Sequence, residues 1–199
     1  MPAALLRSPR LTLRQWEERD LAPFAALNAD PAVMEFFVAP LSKEESAAMI
    51  ERASATLASR GWGWWCLDIE GECAGFIGLT VPGYDTPFMP CVEIGWRLAR
   101  RYWGHGYATE GARRALAYGF DVIGLDEIVS FTTTSNLRSR RVMERIGMTR
   151  DLAGDFDHPR VPEGHALQRH VLYRLRGADY LGYLGGVDPA LGGASAAEG

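Results

Sequence analysis

The chain has 199 residues with 21 Lys+Arg against 25 Asp+Glu, a formal net charge of −4 and a pI near 5.6. That balance argues against a nucleic-acid-binding surface as the main function, since such a surface usually needs a net basic face. Apolar residues make up 47% and charged residues 23%, the profile of a globular domain that buries its own core without staples. Cys66, Cys73 and Cys91 are odd in number and lack zinc-ligand spacing, so they read as free thiols in a reducing compartment.

In chain order, residues 10–16 (RLTLRQW) alternate apolar and polar side chains, a strand pattern. Asp20 then stands as an N-cap ahead of Pro23 and the helically spaced Leu21, Phe24, Ala25 and Leu27. A short helix is expected over 32–37. Another starts after Ser42 and is ended by Gly61, with Ala48, Met49, Ile50, Ala53 and Leu57 as its apolar stripe. Residues 63–69 and 74–81 read as two strands joined by a Glu-Gly-Glu hairpin signal. The stretch 81–90 (VPGYDTPFMP) is too rich in Pro and Gly for regular structure.

The stretch 93–114, EIGWRLARRYWGHGYATEGARR, reads as strand, glycine turn and helix, the helix running to about Val122. The β-branched run 127–134 is a strand. Ser135-Asn136 caps a short helix with Val142, Met143 and Ile146 on its apolar side, ended by Gly147. An edge strand follows at 148–152, then a polar loop at 154–164 and a closing strand at 168–174. The order describes an α/β (α+β) sheet covered by helices, not a doubly wound dinucleotide fold. Residues 1–182 form one domain on this reading. Residues 183–199 lack apolar periodicity and read as a disordered tail. No run approaches the ~18 apolar residues of a membrane span, and the N-terminus lacks the pattern of a secretory leader. The expectation is a cytoplasmic protein, a monomer or a homodimer, with neither nucleic acid nor membrane as partner.

Gly104 and Gly106 bracket one residue directly before a helix. Such a turn exposes backbone N–H groups at a helix N-terminus, which suits a pyrophosphate. The P-loop pattern is absent, and Gly111 is out of register for a dinucleotide fingerprint.

The pattern Arg101-Tyr-Trp-Gly104-His-Gly106-Tyr-Ala108 resembles the Arg/Gln-x-x-Gly-x-Gly/Ala signature of the GCN5-related N-acetyltransferases (GNAT). The branch it is most similar to contains the ribosomal-protein N-terminal acetyltransferases and the spermidine acetyltransferases. The stretches RLTLRQW, EIVSFTTTSNLRSRRVMERIGM and HVLYRL agree with that branch in the same order, so the resemblance spans 7–176. It implies a mixed, mostly antiparallel sheet flanked by helices and acetyl-CoA as co-substrate, with an amine as acceptor. It also implies that Trp96, Arg97 and Leu98 grip the pantetheine arm through their backbone. The loop amides of Trp103, Gly104, His105, Gly106, Tyr107, Ala108 and Thr109 would hold the pyrophosphate, with charge from Arg101. Asn136 would hydrogen-bond the coenzyme arm as well as cap its helix.

Acetyl transfer to an amine needs a base, donors for the oxyanion and a proton for the departing thiolate. By period two, Glu93, Gly95 and Arg97 share one strand face. Glu93, which matches a family glutamate, is the expected general base. Relatives often carry a tyrosine where this chain has Met143. Ser139 is therefore the expected proton donor or coenzyme contact, with Tyr107 and Tyr173 as further hydroxyls. Asp157, His158 and Glu163 in the loop 155–165 are candidates for binding a cationic amine, His158 doubling as a possible base. His105, His158, His165 and His170 have no metal-ligand spacing, so no metal is expected. The alternatives are a CoA-binding sensor without catalysis, marked by the missing tyrosine, and transfer from a longer acyl-CoA.

Overall fold

The computed structural model describes residues 4–184. The tail expected from residue 183 lies outside the described residues except for its first two positions. One sheet of eight strands runs in the order β1-β2-β3-β4-β5-β6-β8-β7. The strands are β1 (Leu6–Arg7), β2 (Thr12–Arg14), β3 (Trp64–Ile69), β4 (Glu72–Thr80), β5 (Glu93–Leu98), β6 (Glu127–Thr133), β7 (Thr149–Asp157) and β8 (Arg169–Arg176). Every neighbouring pair is antiparallel except β5 and β6. The helices are α1 (Leu21–Ala29), α2 (Lys43–Arg60), α3 (Tyr107–Ala117), α4 (Leu137–Arg145) and α5 (Gly177–Leu184).

Local chemistry explains most boundaries. Glu70 and Gly71 both take positive φ (54° and 86°), the backbone that a two-residue hairpin between right-twisted strands requires. Ser42 and Glu45 form a reciprocal capping box at the start of α2, and Gly61 at φ 78° closes it. The parallel β5–β6 pair needs a crossover, which α3 and a π-helical turn, Tyr118–Ile123, supply. α3 lies close on one face of the sheet. A Cβ on Gly111 would stand 2.5 Å from Ile77 Cδ1, and one on Gly119 would stand 2.7 Å from Ile128 Cδ1. On the other face α1 and α2 bury Phe24, Leu27, Met49, Ala53 and Leu57.

Three expectations change. The helix over 32–37 is a run of turns. Asp30 Oδ1 accepts the Ala32 N–H while the Asp30 carbonyl accepts those of Val33 and Met34, so aspartate competes with helix formation. Asp20 does not cap α1 with its side chain. Its carboxylate takes both terminal nitrogens of Arg14 (2.7 and 2.9 Å) and the Glu17 N–H. The loop from 154 begins later, because β7 resumes after a bulge between Asp151 and Phe156. There Asp151 Oδ1 accepts the N–H groups of Ala153 and Gly154.

Candidate active site

β5 and β6 touch as a ladder at one place. Glu93 pairs with Val129, and the Val129 N–H donates to the Val92 carbonyl at 2.9 Å. One step on, the Ser130 hydroxyl, rather than a backbone N–H, reaches the Ile94 carbonyl at 2.9 Å. Beyond it the strands part. The Ala99 N–H donates to the Ala74 carbonyl, and the register Gly75↔Leu98, Phe76↔Arg97, Ile77↔Trp96 continues that ladder. Antiparallel alternation then points the peptide groups of Gly95 and Arg97 at β4 and those of Trp96 and Leu98 into the fork. The Leu98 carbonyl is taken by the Trp103 indole N–H (2.8 Å). The Trp96 N–H and C=O and the Leu98 N–H remain directed at open space.

The fork ends at the glycine turn. After a 3-10 turn at Arg100–Tyr102, Gly104 and Gly106 both adopt left-handed backbone, φ 80° and 82°. Gly106 precedes α3 without any side-chain cap, and the first helical bond runs from the Glu110 N–H to the Gly106 carbonyl. The N–H groups of Tyr107, Ala108 and Thr109 therefore lack helical partners. Arg10 fastens this end: it pairs with Glu110 at 2.6 Å and donates to the His105 carbonyl at 2.9 Å.

A cavity of about 750 Å³ runs from this turn along the fork and onto the face of Glu93. Its wall includes the expected Glu93, Trp96, Leu98, Trp103, Gly104, Gly106, Tyr107, Ala108, Thr109, Asn136, Ser139 and His158. Among the described residues Glu93 is its only acidic lining residue. No ion pair or hydrogen bond from the described residues holds that carboxyl, and burial raises its pKa to about 8. Asn136 caps α4 through Oδ1 to the Ser139 N–H (3.1 Å), and its Nδ2 donates to Thr132 (3.0 Å). The half-buried Ser139 hydroxyl has no protein partner among the described residues.

Other expected residues sit differently. Arg97 lines the cavity with its side chain, but its peptide groups are committed to β4. Arg101 turns away to Glu72 (2.7 Å) and the Tyr102 hydroxyl (3.1 Å). His105 is exposed and outside the wall. Asp157 is exposed and pairs with Arg169 at 3.3 Å, and Glu163 is exposed on a turn; neither reaches the cavity. Tyr173 is buried, donates to Glu144 (3.0 Å) and does not line it. Met143 is core, 1% exposed. His158 is held neutral: burial, then His170 and Arg160, lower its pKa to about 4.

Several lining residues escaped the sequence reading. Arg138, Arg141 and Arg145 stand at helical spacing on α4 and bring positive charge to the wall; that spacing was a visible signal. Tyr84, from the Pro/Gly-rich loop, gave none. His158 Nδ1 accepts the Arg160 N–H (3.2 Å), which puts its proton on Nε2, 2.9 Å from the Tyr84 oxygen. The Tyr84 hydroxyl proton is thereby free for another acceptor.

The family model described as the acetyltransferase (GNAT) domain matches residues 10–149. The FsC-acetyl coenzyme A-N(2)-transacetylase of Aspergillus fumigatus is 35% identical over 130 residues, 62% of this chain and 55% of that protein. The chain thus spans about half the length of that relative. The uncharacterized protein YkkB of Bacillus subtilis is 32% identical over 146 residues, 72% of this chain and 84% of its own. Among solved structures, the ribosomal L7/L12 alpha-N-protein acetyltransferase RimL in complex with coenzyme A superposes with a TM-score of 0.68. That likeness covers 87% of this chain and 98% of RimL at 19% identity, and is one of fold. Among the described residues no helix is long and apolar enough to cross a membrane.

Proposed function

The chain belongs to the GNAT acetyltransferase family, and from that premise we propose an acetyl-CoA-dependent N-acetyltransferase that acylates a primary amine by direct attack, with Glu93 as base. The observation that carries this reading is the Glu93 carboxyl. It is half-buried, has no cation partner among the described residues, and opens onto the cavity where β5 and β6 part. A carboxyl with a pKa of about 8 is matched to removing a proton from an amine near neutral pH.

The fit to acetyl-CoA rests on open backbone groups. Trp96 and the Leu98 N–H offer the edge of an unpaired strand to a pantetheine arm. The uncapped amides of Tyr107, Ala108 and Thr109, approached over Gly104 and Gly106, offer an anion site to a pyrophosphate. Positive charge there comes from the arginines of α4. Acetyl-CoA supplies the activated thioester. Glu93, directly or through one water, takes the proton that the amine loses as its nitrogen bonds to the acetyl carbon. Ser139, in the first turn of α4, is the proposed donor to the departing sulfur, and the helix N-terminus favours the negative charge developing there.

Thiol release from acetyl-CoA with a panel of amines tests this. Glu93→Gln should lower kcat/KM by roughly 10²–10⁴-fold, the usual weight of a positioned base. Full activity in that variant, or faster turnover of succinyl-CoA than of acetyl-CoA, would count against the assignment.

A further inference from the structure

We propose that the acceptor amine also carries a carboxylate, bound by Arg97 and Trp64 on the same sheet face as Glu93. This rests on the N-acetyltransferase reading and names the substrate class of that site.

Arg97 is 9% exposed. Its Nη1 donates to Asn28 Oδ1 at 2.7 Å, and its guanidinium lies 4.1 Å from the Phe37 ring centre and 5.6 Å from that of Phe76. Its Nε has no partner, and no carboxylate among the described residues pairs with it. Arg14 offers the comparison. It is equally buried at 9%, but it is held by Asp20 at 2.7 Å and Asp68 at 2.8 Å. A buried cation without a counter-ion is unfavourable. Arg97 keeps that arrangement on the wall of the cavity.

Trp64 makes a second, independent observation. The indoles of Trp16, Trp65 and Trp103 each donate to a backbone carbonyl at 2.8–2.9 Å. The Trp64 Nε1–H is buried and donates to nothing. Its ring stands 4.8 Å from Phe76, the same ring that Arg97 faces. Six buried side-chain polar atoms lack partners among the described residues, and only those of Arg97 and Trp64 belong to cavity-lining residues. Both are donors, so the missing group is an acceptor, and beside a guanidinium an anionic one. Between Glu93 and Arg97 the floor is Gly95, where a Cβ would meet only Glu93 Oε1, at 3.9 Å. A substrate can therefore lie across Gly95 with its amine at Glu93 and its carboxylate at Arg97. Four residue steps of extended strand separate the two, ~13 Å between Cα atoms. A polyamine fits this wall poorly, because among the described residues Glu93 is its single carboxyl beside several arginines.

The test uses pairs that differ only in the carboxylate: phenylalanine and phenethylamine, lysine and cadaverine, 6-aminohexanoate and pentylamine. Two short peptides, each as free acid and as amide, separate a peptide carboxylate from that of a free amino acid. The wild-type enzyme should favour the carboxylated member of at least one pair by tenfold or more in kcat/KM. Arg97→Gln should bring that ratio close to one through KM, Arg97→Lys should keep part of it, and Trp64→Phe should reduce it severalfold. Melting curves establish that the variants fold. Without turnover, the N-acetylated product of the favoured pair should raise the wild-type melting temperature and fail to raise that of Arg97→Gln. Equal use of both members in every pair overturns the proposal. So does a parallel fall for both members in Arg97→Gln, or the failure of every aminocarboxylate to react or bind. Acetyl-CoA binding, read by thermal shift, separates the two levels. Loss of acetyl-CoA binding sinks the enzyme reading itself, whereas acetyl-CoA turnover with indifferent amines sinks only the carboxylate.

Discussion

Replacing Glu93 with glutamine should stabilise the protein while disabling it. Burial moves the Glu93 carboxyl from 4.5 to about 8, and each pKa unit corresponds to ~1.4 kcal/mol between protonation states. The direction follows from proton linkage. The folded-state pKa lies above the unfolded one, so the unfolded chain releases its proton first as pH rises. The stability associated with this group is complete below about pH 4.5 and declines as pH rises through about 8. At the alkaline end the ionised carboxylate costs the fold up to about 5 kcal/mol. Glutamine has nearly the same shape and no charge, so it escapes that loss.

Urea denaturation of wild type and Glu93→Gln at pH 5 and at pH 8.5 checks this. The two should agree within about 1 kcal/mol at pH 5, where Glu93 is neutral in the fold. The variant should be several kcal/mol more stable at pH 8.5. In parallel, wild-type kcat/KM should climb to a plateau with an inflection near pH 8 that the variant lacks. Parallel stability curves for the two proteins across that range would refute the placement of an unpaired, desolvated carboxyl at position 93, and the base assignment with it.

Further outcomes follow from other contacts. Gly104→Ala places a side chain on left-handed backbone (φ 80°) with nothing within 4 Å of the new Cβ. It should lose about 1–2 kcal/mol from backbone strain and bind CoA more weakly, as calorimetry would show. Gly111→Ala would drive its Cβ to 2.5 Å from Ile77 Cδ1, and overpacking should lower stability by about 1–3 kcal/mol in a thermal melt. Arg14→Met would leave Asp20 and Asp68 facing each other without their shared cation, a loss of about 3–5 kcal/mol in urea denaturation. Tyr84→Phe removes the hydroxyl bonded to His158 Nε2. If that hydroxyl serves the reacting groups, kcat should fall at least tenfold while acetyl-CoA affinity holds; an unchanged kcat would return Tyr84 to a packing role.

What the sequence disclosed follows a physical line. Elements set by short-range chemistry were legible. The Ser42–Glu45 box bounds α2, Gly61 ends it, and 93–98 alternates as a strand with the bounds the structure has. Elements set by competition were not. Asp30 diverts 32–34 into turns, and Asp20 serves Arg14 and Glu17 instead of its helix. The site divides likewise. The glycine turn announced its own backbone, so the positions at 104, 106 and 107–109 were foreseeable. Side chains whose direction depends on a distant partner were not. Arg101 is drawn off by Glu72, 29 positions away, and Asp157 by Arg169. Arg97 was expected to serve through its backbone, which only the ladder register with Phe76 shows to be committed. Tyr84 reaches the cavity from a loop whose sequence predicts nothing but irregularity.

The division of labour within β5 has a single topological cause. A parallel neighbour must arrive by a crossover, and the crossover helix must begin where β5 ends. A helix N-terminus therefore stands at the mouth of whatever opening β5 and β6 leave. Because β6 pairs with β8 along its whole length and with β5 at one residue, the opening is a fork. Strand alternation then sorts β5 into two sets. Residues 96 and 98 turn peptide groups into the fork, while residues 93, 95 and 97 turn side chains or their absence onto the opposite wall. On the proposed reading the donor is held by the first set and the acceptor by the second, so the two substrates meet across one strand. A one-residue shift of the Phe76↔Arg97 register would exchange the sets, sending Glu93 and Arg97 under α3 and the Trp96 and Leu98 peptides into β4. The antiparallel ladder with β4 is thus what positions the chemistry, although no residue of β4 is asked to perform it.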